Sequence, residues 1–356
     1  MSGSSNKVPA QCAGSIRISS IDYFRVFSIL AVIMLHTEPF KTVHNETDGA
    51  FDLYETVRLM LRFAVPYFFI ISGYFWAKKI AATNDYFGTY WRMAKRIFLI
   101  FVVWSFFYAM PLNFTSIYEY GILGPLKLAY WRLVVLADHP LRTLFQGTIV
   151  HLWFLVGLLC ALTVSTLIIL VNRALLPIVA LALYIFELLT SSYSVTSFGF
   201  EIEFNTRNGP FVSTLFFVIG WLLFNYKKSF SLKLGVWLVI IGIALQFIEA
   251  AILWEQYRFY PGRHEYLIGT IFFGVGVAVM ALANPKFISD GVISKWGGYT
   301  LGVYVIHYYI IDLLAPINAV YHNILWEIAF PLVVYALSLT AVCLLANSRR
   351  IKPFVV

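Results

Sequence analysis

Residues 148–171 read TIVHLWFLVGLLCALTVSTLIILV, a run of 24 residues without Asp, Glu, Lys or Arg. An α-helix rises 1.5 Å per residue, so this run extends over about 36 Å and exceeds the ~30 Å hydrocarbon core of a bilayer. A charge-free run of this length predicts a membrane-spanning helix.

Similar apolar segments lie on both sides of this run. Together they predict about ten spans, at residues 21–39, 57–77, 94–112, 148–171, 174–190, 210–226, 234–254, 266–283, 297–316 and 325–346. The first segment lacks a small-x-small cleavage site, so it is interpreted as a retained span and not as a signal peptide. The sequence therefore predicts an all-α integral membrane protein. Its single transmembrane domain, residues 21–346, lies between terminal tails 1–20 and 347–356.

The composition supports this class and excludes a soluble fold. Hydrophobic residues make up 60% of the chain and charged residues only 12%, whereas a soluble domain carries about 25% charged residues. The mean hydropathy is +0.78. So few charges could not cover the apolar surface of a soluble protein of this size, which leaves the lipid bilayer as the solvent.

Charge is distributed unevenly between the two sides that ten spans would create. The side of both termini carries 16 of the 26 Lys and Arg residues and 3 of the 18 Asp and Glu residues. The positive-inside rule therefore predicts cytoplasmic termini. The formal net charge of +8 comes from short clusters between apolar runs. We interpret it as a topology signal with anionic lipid as a partner, and expect no nucleic acid partner.

Two ionisable residues in the first segment are candidates for chemistry, because charge inside a span is costly. Arg25 and His36 are eleven residues apart, which places them on one helix face about 16 Å apart along the axis. Asp22 shares that face and can orient the guanidinium. Arg25 can bind phosphate bidentately, and His36 can take a proton from a hydroxyl near neutral pH. A structural stripe packed against polar neighbours explains the same spacing.

Other candidates lie near the ends of later segments. Ser72 and Gly73 either allow close helix packing or open space for a cofactor, and the basic cluster that follows either anchors the chain on lipid or binds phosphates. His151 and Trp153 open the fourth segment, where a Trp is usually an interface anchor. His307 lies near the middle of the ninth, where a buried His is more often structural. The basic cluster consists of Lys78, Lys79, Arg92, Lys95 and Arg96.

Several signatures that would indicate other chemistry are missing from the sequence. The three cysteines show no metal-ligand spacing, and no metal is predicted. The sequence has no Gly-rich phosphate loop and no Gly-x-Ser-x-Gly nucleophile elbow. Direct transfer to a hydroxyl with a His base therefore suits the chain better than a covalent enzyme intermediate. Residues 126–136, in the long connection 113–147, predict an interfacial amphipathic helix.

The order of these motifs resembles the membrane-bound acyltransferase family 3. The similarity lies in Arg25-x10-His36, in the Ser72-Gly73 segment and in the basic cluster. It continues in the His151-Leu-Trp-Phe-Leu opening of the fourth segment and in the Gly-Val-Tyr-Val-Ile-His307 stretch. One departure is that the family's Arg-x-x-Arg motif appears here as Arg92-Met-Ala-Lys95-Arg96.

The resemblance implies an O-acyltransferase of the bacterial inner membrane. Such an enzyme would use cytoplasmic acyl-CoA, commonly acetyl-CoA, to acylate a hydroxyl of an extracytoplasmic glycan or lipid-linked glycan such as O-antigen in lipopolysaccharide. His36 would then be the catalytic base and Arg25 its companion. Arg92, Lys95, Arg96, Ser72 and Gly73 would bind the acyl-CoA, and His151, Trp153 and His307 would line the site. Outer-loop residues proposed to contact the acceptor are Glu201, Glu203, Arg258, Arg263 and His264. A glycan exporter without acyl transfer is the alternative.

Overall fold

The computed structural model of the chain describes residues 18–44, 51–226, 229–285, 292–321 and 323–356. All regular structure in these ranges is helical, without strands. Residues 1–17 of the predicted N-terminal tail lie outside the described residues. So do three lysines that contribute to the predicted charge asymmetry, namely Lys227, Lys228 and Lys286.

Fifteen α-helices are present in the described ranges, and they cover most of each of the ten predicted segments. The helices are α1 Ser19–Thr37, α2 Leu53–Met60, α3 Ala64–Thr83, α4 Tyr86–Ala109, α5 Phe114–Tyr120, α6 Gly124–Asp138, α7 Pro140–Gln146, α8 Trp153–Asn172, α9 Leu175–Thr190, α10 Pro210–Asn225, α11 Leu232–Tyr257, α12 Ile268–Leu282, α13 Thr300–Val320, α14 Ile324–Leu345 and α15 Lys352–Val355. Short 3-10 helices are Lys41–Val43, Val150–Leu152, Pro261–Arg263 and Val292–Tyr299.

Seven candidate spans in the described residues are long and apolar enough to cross a membrane. They contain α1, α2 with α3, α4 with α5, α8, α11, α13 and α14. Three shorter apolar helices, α9, α10 and α12, have 15 or 16 residues. Such helices extend over only about 24 Å, less than the ~30 Å core of the bilayer. The protein is thus an all-helical, multi-pass membrane protein. Ten crossings and cytoplasmic termini stay predictions.

The second predicted segment, 57–77, is interrupted in the structure. Helix α2 ends at Met60, and α3 begins at Ala64. Pro66 explains the interruption, because it has no N–H to offer the carbonyl of Arg62 and its ring would clash with that carbonyl in a continuous helix. The break leaves Arg62 at the junction, where its guanidinium donates to the carbonyl of Gly262 at 2.8 Å.

Close helix packing sets the position of α3. A Cβ at Gly73 would collide with the backbone carbonyl of Phe217 on α10, and a Cβ at Gly220 would collide with the carbonyl of Ile70 on α3. Two glycines therefore let α3 and α10 approach until their backbones touch, as small residues do at membrane helix interfaces. This contact supports the packing interpretation of Gly73.

Helix α4 separates the interior from the lipid. Its residues Phe98, Val102 and Phe106, spaced four apart, are exposed, and on a helix this spacing forms one face. An exposed apolar face of this kind is stable in contact with lipid tails. Ile97 and Trp104 point inward and are buried. The inward face of α4 is therefore available to line an interior site.

The two predicted polar segments after α4 and α14 are ordered. The connection 113–147 forms α5, α6 and α7, and α6 covers the predicted amphipathic helix 126–136. The predicted tail 347–356 folds back against α4, where Trp104 donates from Nε1 to the carbonyl of Phe354 at 3.1 Å. Arg96 donates to the carbonyl of Val356 at 2.6 Å.

Candidate active site

A cavity of about 870 Å³ lies among α1, α3, α4, α8 and the start of α13. Arg25 and His36 of α1, Ser72 of α3 and Arg92 and Arg96 of α4 all line it. Much of the remaining wall is apolar, contributed by Val32, Val65, Phe68, Phe75, Ile97, Ile100, Leu155 and Leu158. Residues from four separate parts of the sequence therefore share one space.

One end of the cavity is basic. Arg25 near the start of α1, Lys79 near the end of α3, and Arg92 and Arg96 in the first half of α4 line this end. Asp22 pairs with Arg25 at 2.9 Å, as the sequence suggested, and Asp85 lies 3.7 Å from Arg92. No Asp or Glu side chain is among the described residues that line the cavity. The basic end is therefore suited to an anion with several charges.

Three histidines meet at the other end of the cavity. His36 and His151 line it, whereas His307, which was also expected to line the site, packs behind them and does not reach it. The ring of His36 lies 5.4 Å from that of His307 and 6.4 Å from that of His151, measured between centroids. His151 and His307 are 5.0 Å apart. His151 lies on the 3-10 helix before α8 and His307 lies on α13, more than 150 residues further along the chain. His36 is partly accessible and lines the cavity, whereas the other two are buried.

A hydrogen bond fixes the tautomer of His307. Its Nδ1 lies 2.6 Å from the carbonyl oxygen of Tyr304. A carbonyl can only accept, so Nδ1 carries the proton and Nε2 of the neutral ring keeps its lone pair. That Nε2 is buried without a hydrogen-bond partner. It is therefore an unfilled acceptor on a ring whose centroid lies 5.4 Å from that of His36. His307 does not use Asp312, which accepts from Asn113 Nδ2 and from the N–H of Phe114, both at 2.7 Å.

Not every predicted site residue reaches the cavity. Lys95 is exposed on α4 and is not among the lining residues, because it is turned about 100° from Arg96 on the helix. Gly73 packs against α10 and does not line the cavity either. The Ser72 hydroxyl lines the cavity but donates to the carbonyl of Phe68 in its own helix at 2.7 Å.

Trp153 lies inside the protein and not at its surface. It is buried and lines the cavity, so the interpretation as an interface anchor is wrong for this residue. Arg207 stacks on the indole ring with its guanidinium carbon 5.1 Å from the ring centroid. The same guanidinium pairs with Glu265 at 2.6 Å. Trp153 therefore connects the cavity wall to an ion pair between the loops before α10 and α12.

The outer-loop candidates do not form part of the cavity. Glu201, Glu203, Arg258 and Arg263 are exposed. His264 is buried against the ring of Phe259. Burial, with a smaller contribution from the charge of Arg62, lowers the pKa of His264 to about 4, so His264 is neutral near pH 7.

Sequence reasoning missed two tyrosines of α13 that contact the histidines. The Tyr304 hydroxyl donates to the carbonyl of His151. The Tyr308 ring stacks on His151 with centroids 5.2 Å apart and meets the edge of His36 at 5.4 Å. Their spacing of four around His307 was a usable signal, because i and i+4 share a helix face. Among the described residues, no group of three His, Cys, Asp or Glu side chains could hold a metal ion.

Comparison with protein families identifies the family of this chain. A family model described as an acyltransferase domain covers residues 18–347. The chain therefore belongs to acyltransferase family 3. No solved structure gives a significant match.

Individual relatives of the chain have low sequence identity to it and are longer than it is. An amino-acid racemase of Enterococcus faecalis is 25% identical over 322 residues, which cover 85% of this chain and 42% of that protein. A serine/alanine racemase of Enterococcus gallinarum is 26% identical over 358 residues, 93% of this chain and 46% of that protein. The chain thus spans less than half the length of these relatives, whose names describe the whole proteins.

Proposed function

We propose that the protein is an O-acyltransferase that moves an acyl group, commonly acetyl, from acyl-CoA to a hydroxyl of an extracytoplasmic glycan. The observation that carries the proposal is the single cavity with a basic end and a histidine end. An acyl-CoA is itself an elongated molecule with phosphates at one end and a thioester at the other. The shape and charge of the cavity match that order.

The basic end would hold the phosphates of the donor. Arg25, Arg92 and Arg96 offer planar guanidinium groups, which bind phosphate through two parallel hydrogen bonds. Lys79 adds a point charge. The apolar wall between Arg25 and His36 extends for about 16 Å along α1. It would hold the extended arm of the donor and lead the thioester to the histidines.

The histidine end would carry out the transfer. In this proposal His307 Nε2, which has no hydrogen-bond partner and belongs to a ring 5.4 Å from that of His36, accepts an N–H from His36. The second His36 nitrogen would then be free to act as a base. His36 takes the proton of the acceptor hydroxyl while the hydroxyl oxygen forms a bond to the thioester carbonyl carbon. The carbon–sulfur bond breaks, and the thiolate leaves with the electron pair and takes up a proton to give free CoA. The acyl ester on the acceptor is the second product.

A sharp test measures O-acyl groups on isolated surface glycans by proton NMR. It compares a strain without the gene, the same strain carrying the wild type, and one carrying His36→Ala at matched protein level. We expect acyl signals with the wild type and none with the other two. Exporter function predicts instead that acylation stays constant while the amount of exported glycan falls, and that result would remove the transferase proposal for this acceptor.

A further inference from the structure

A second pocket of about 210 Å³ lies on the far side of the histidine cluster. It is lined by the end of α4 and the loop after it, by Arg132 of α6, by Ile149 and by the stretch 308–312 of α13. Arg92 and Tyr108 are sixteen residues apart on α4, so the pocket is about 24 Å from the basic end along that helix. It therefore opens toward the opposite side of the molecule.

Two tyrosines separate this pocket from the histidines. Tyr108 and Tyr308 line the pocket, and both contact the His151 ring, with centroid distances of 5.3 and 5.2 Å. Tyr308 also contacts His36, at 5.4 Å. A molecule in the pocket is thus one aromatic ring away from His36.

The rim of the pocket is fixed by Asp312. Its carboxylate accepts from Asn113 Nδ2, from the N–H of Phe114 and from the N–H of Thr115 at 2.7, 2.7 and 3.1 Å. Three of its roughly four acceptor positions are therefore filled. Arg132 donates to the carbonyl of Tyr108 and keeps further N–H groups. These bonds tie the start of α5, α6 and α13 around a preformed space.

We infer that this pocket binds the acceptor, and that the acceptor is a polyhydroxylated ring such as a sugar residue. The inference rests on the proposed acyl transfer and names the route of its second substrate. The pocket presents the rings of Phe107, Tyr108, Tyr308 and Tyr309 beside polar groups of Asn113, Arg132 and Asp312. Aromatic faces cover the apolar faces of a sugar ring, and a few fixed polar groups orient its hydroxyls. The donor and the acceptor then reach His36 from opposite ends.

Thiol labelling tests this route. Leu112 lines the pocket and is 45% exposed, so Leu112→Cys places a thiol at its mouth. Cells are treated with a charged, membrane-impermeant methanethiosulfonate, and O-acyl groups on their glycans are measured by proton NMR. Phe198→Cys is the matched control, because Phe198 is 80% exposed and does not line either pocket. Untreated cells of each strain provide the reference, and labelling is verified by intact mass.

We expect the label to lower acylation by about tenfold or more in Leu112→Cys, and by less than about twofold in Phe198→Cys and the wild type. Acetyl-CoA binding to the purified, labelled Leu112→Cys protein should be unchanged. The inference is overturned if Leu112→Cys is not labelled from outside, if labelled cells acylate normally, or if the label also abolishes donor binding. A wild type that adds no acyl groups relative to the deletion strain would instead refute the proposed function itself.

Discussion

Adjacent residues on α4 provide a matched pair for testing donor binding. Both side chains are exposed, but Arg96 lines the cavity and Lys95 does not. Arg92 and Arg96 are four apart and share a face, and both line the cavity. We expect Arg96→Gln to weaken donor binding and Lys95→Gln to leave it unchanged.

The expected loss of donor-binding free energy in Arg96→Gln depends on how exposed the site is to water. A hydrogen bond to a charged group contributes about 1.5–3 kcal/mol when protected from water. Arg96 is exposed, and solvent screening reduces such contributions. A loss of about 1–2 kcal/mol corresponds to a factor of about 5–30 in the dissociation constant. Lys95→Gln should change it by less than about twofold.

Isothermal titration of acetyl-CoA into each variant in lipid nanodiscs measures the two dissociation constants. Thermal unfolding of each variant provides the control, because Arg96 also donates to the Val356 carbonyl and its loss could loosen that segment. Equal effects of the two substitutions would contradict the placement of the donor phosphates. So would a stronger effect of Lys95→Gln.

Three further predictions concern packing, pH and the histidine cluster. Gly73→Ala should lower the free energy of unfolding by about 1–3 kcal/mol, because the new Cβ meets the Phe217 carbonyl. Gly298→Ala is the control, because a Cβ there meets nothing within 4 Å. Equal melting temperatures of the two variants in detergent would refute this prediction. His264 is buried with its pKa lowered from 6.5 to about 4, so the stability it contributes is fully present above pH 6.5 and is lost as pH falls toward 4. His264→Gln should therefore flatten the fall in melting temperature between pH 6.5 and 4, and an unchanged slope would contradict the assignment. His307→Gln keeps a hydrogen-bonding group but alters the acceptor geometry next to His36. It should lower kcat by about tenfold or more and leave the affinity for the acyl donor unchanged. A change in donor affinity without a change in kcat would place His307 in donor binding instead.

Much of the fold could be predicted from the pattern of apolar residues, because lipid requires long uninterrupted helices. The interruption before Pro66 was not predicted, although the proline itself was the signal. Pairing of Arg25 with Asp22 was predictable because it is local to one helix. In contrast, nothing in the spacing of His36, His151 and His307 indicates that their rings meet, because the helices that carry them are remote in sequence and their contact depends on tertiary packing.

The same limit applies to single residues. Gly73 follows Ser72 directly, yet only the serine reaches the cavity, because successive residues of a helix point about 100° apart. The sequence left the role of Gly73 open, and its neighbour across the interface, Phe217, decides it. The position of Trp153 at a helix start indicated a membrane-surface anchor, whereas the family resemblance implied a place in the site, where the structure has it. Arg207, which covers its ring, comes from a loop whose course the sequence does not reveal.

The central claim, acyl transfer from CoA at His36, is tested most directly with purified protein. Wild type and His36→Ala, each in nanodiscs, would be incubated with acetyl-CoA labelled in the acetyl group and with glycan isolated from a strain lacking the gene. We predict labelled glycan ester together with an equal amount of free CoA thiol for the wild type, and neither product for His36→Ala. Equal transfer by the two proteins would contradict the role of His36. Absence of transfer by a wild type that binds acetyl-CoA would contradict the assignment of this glycan as acceptor.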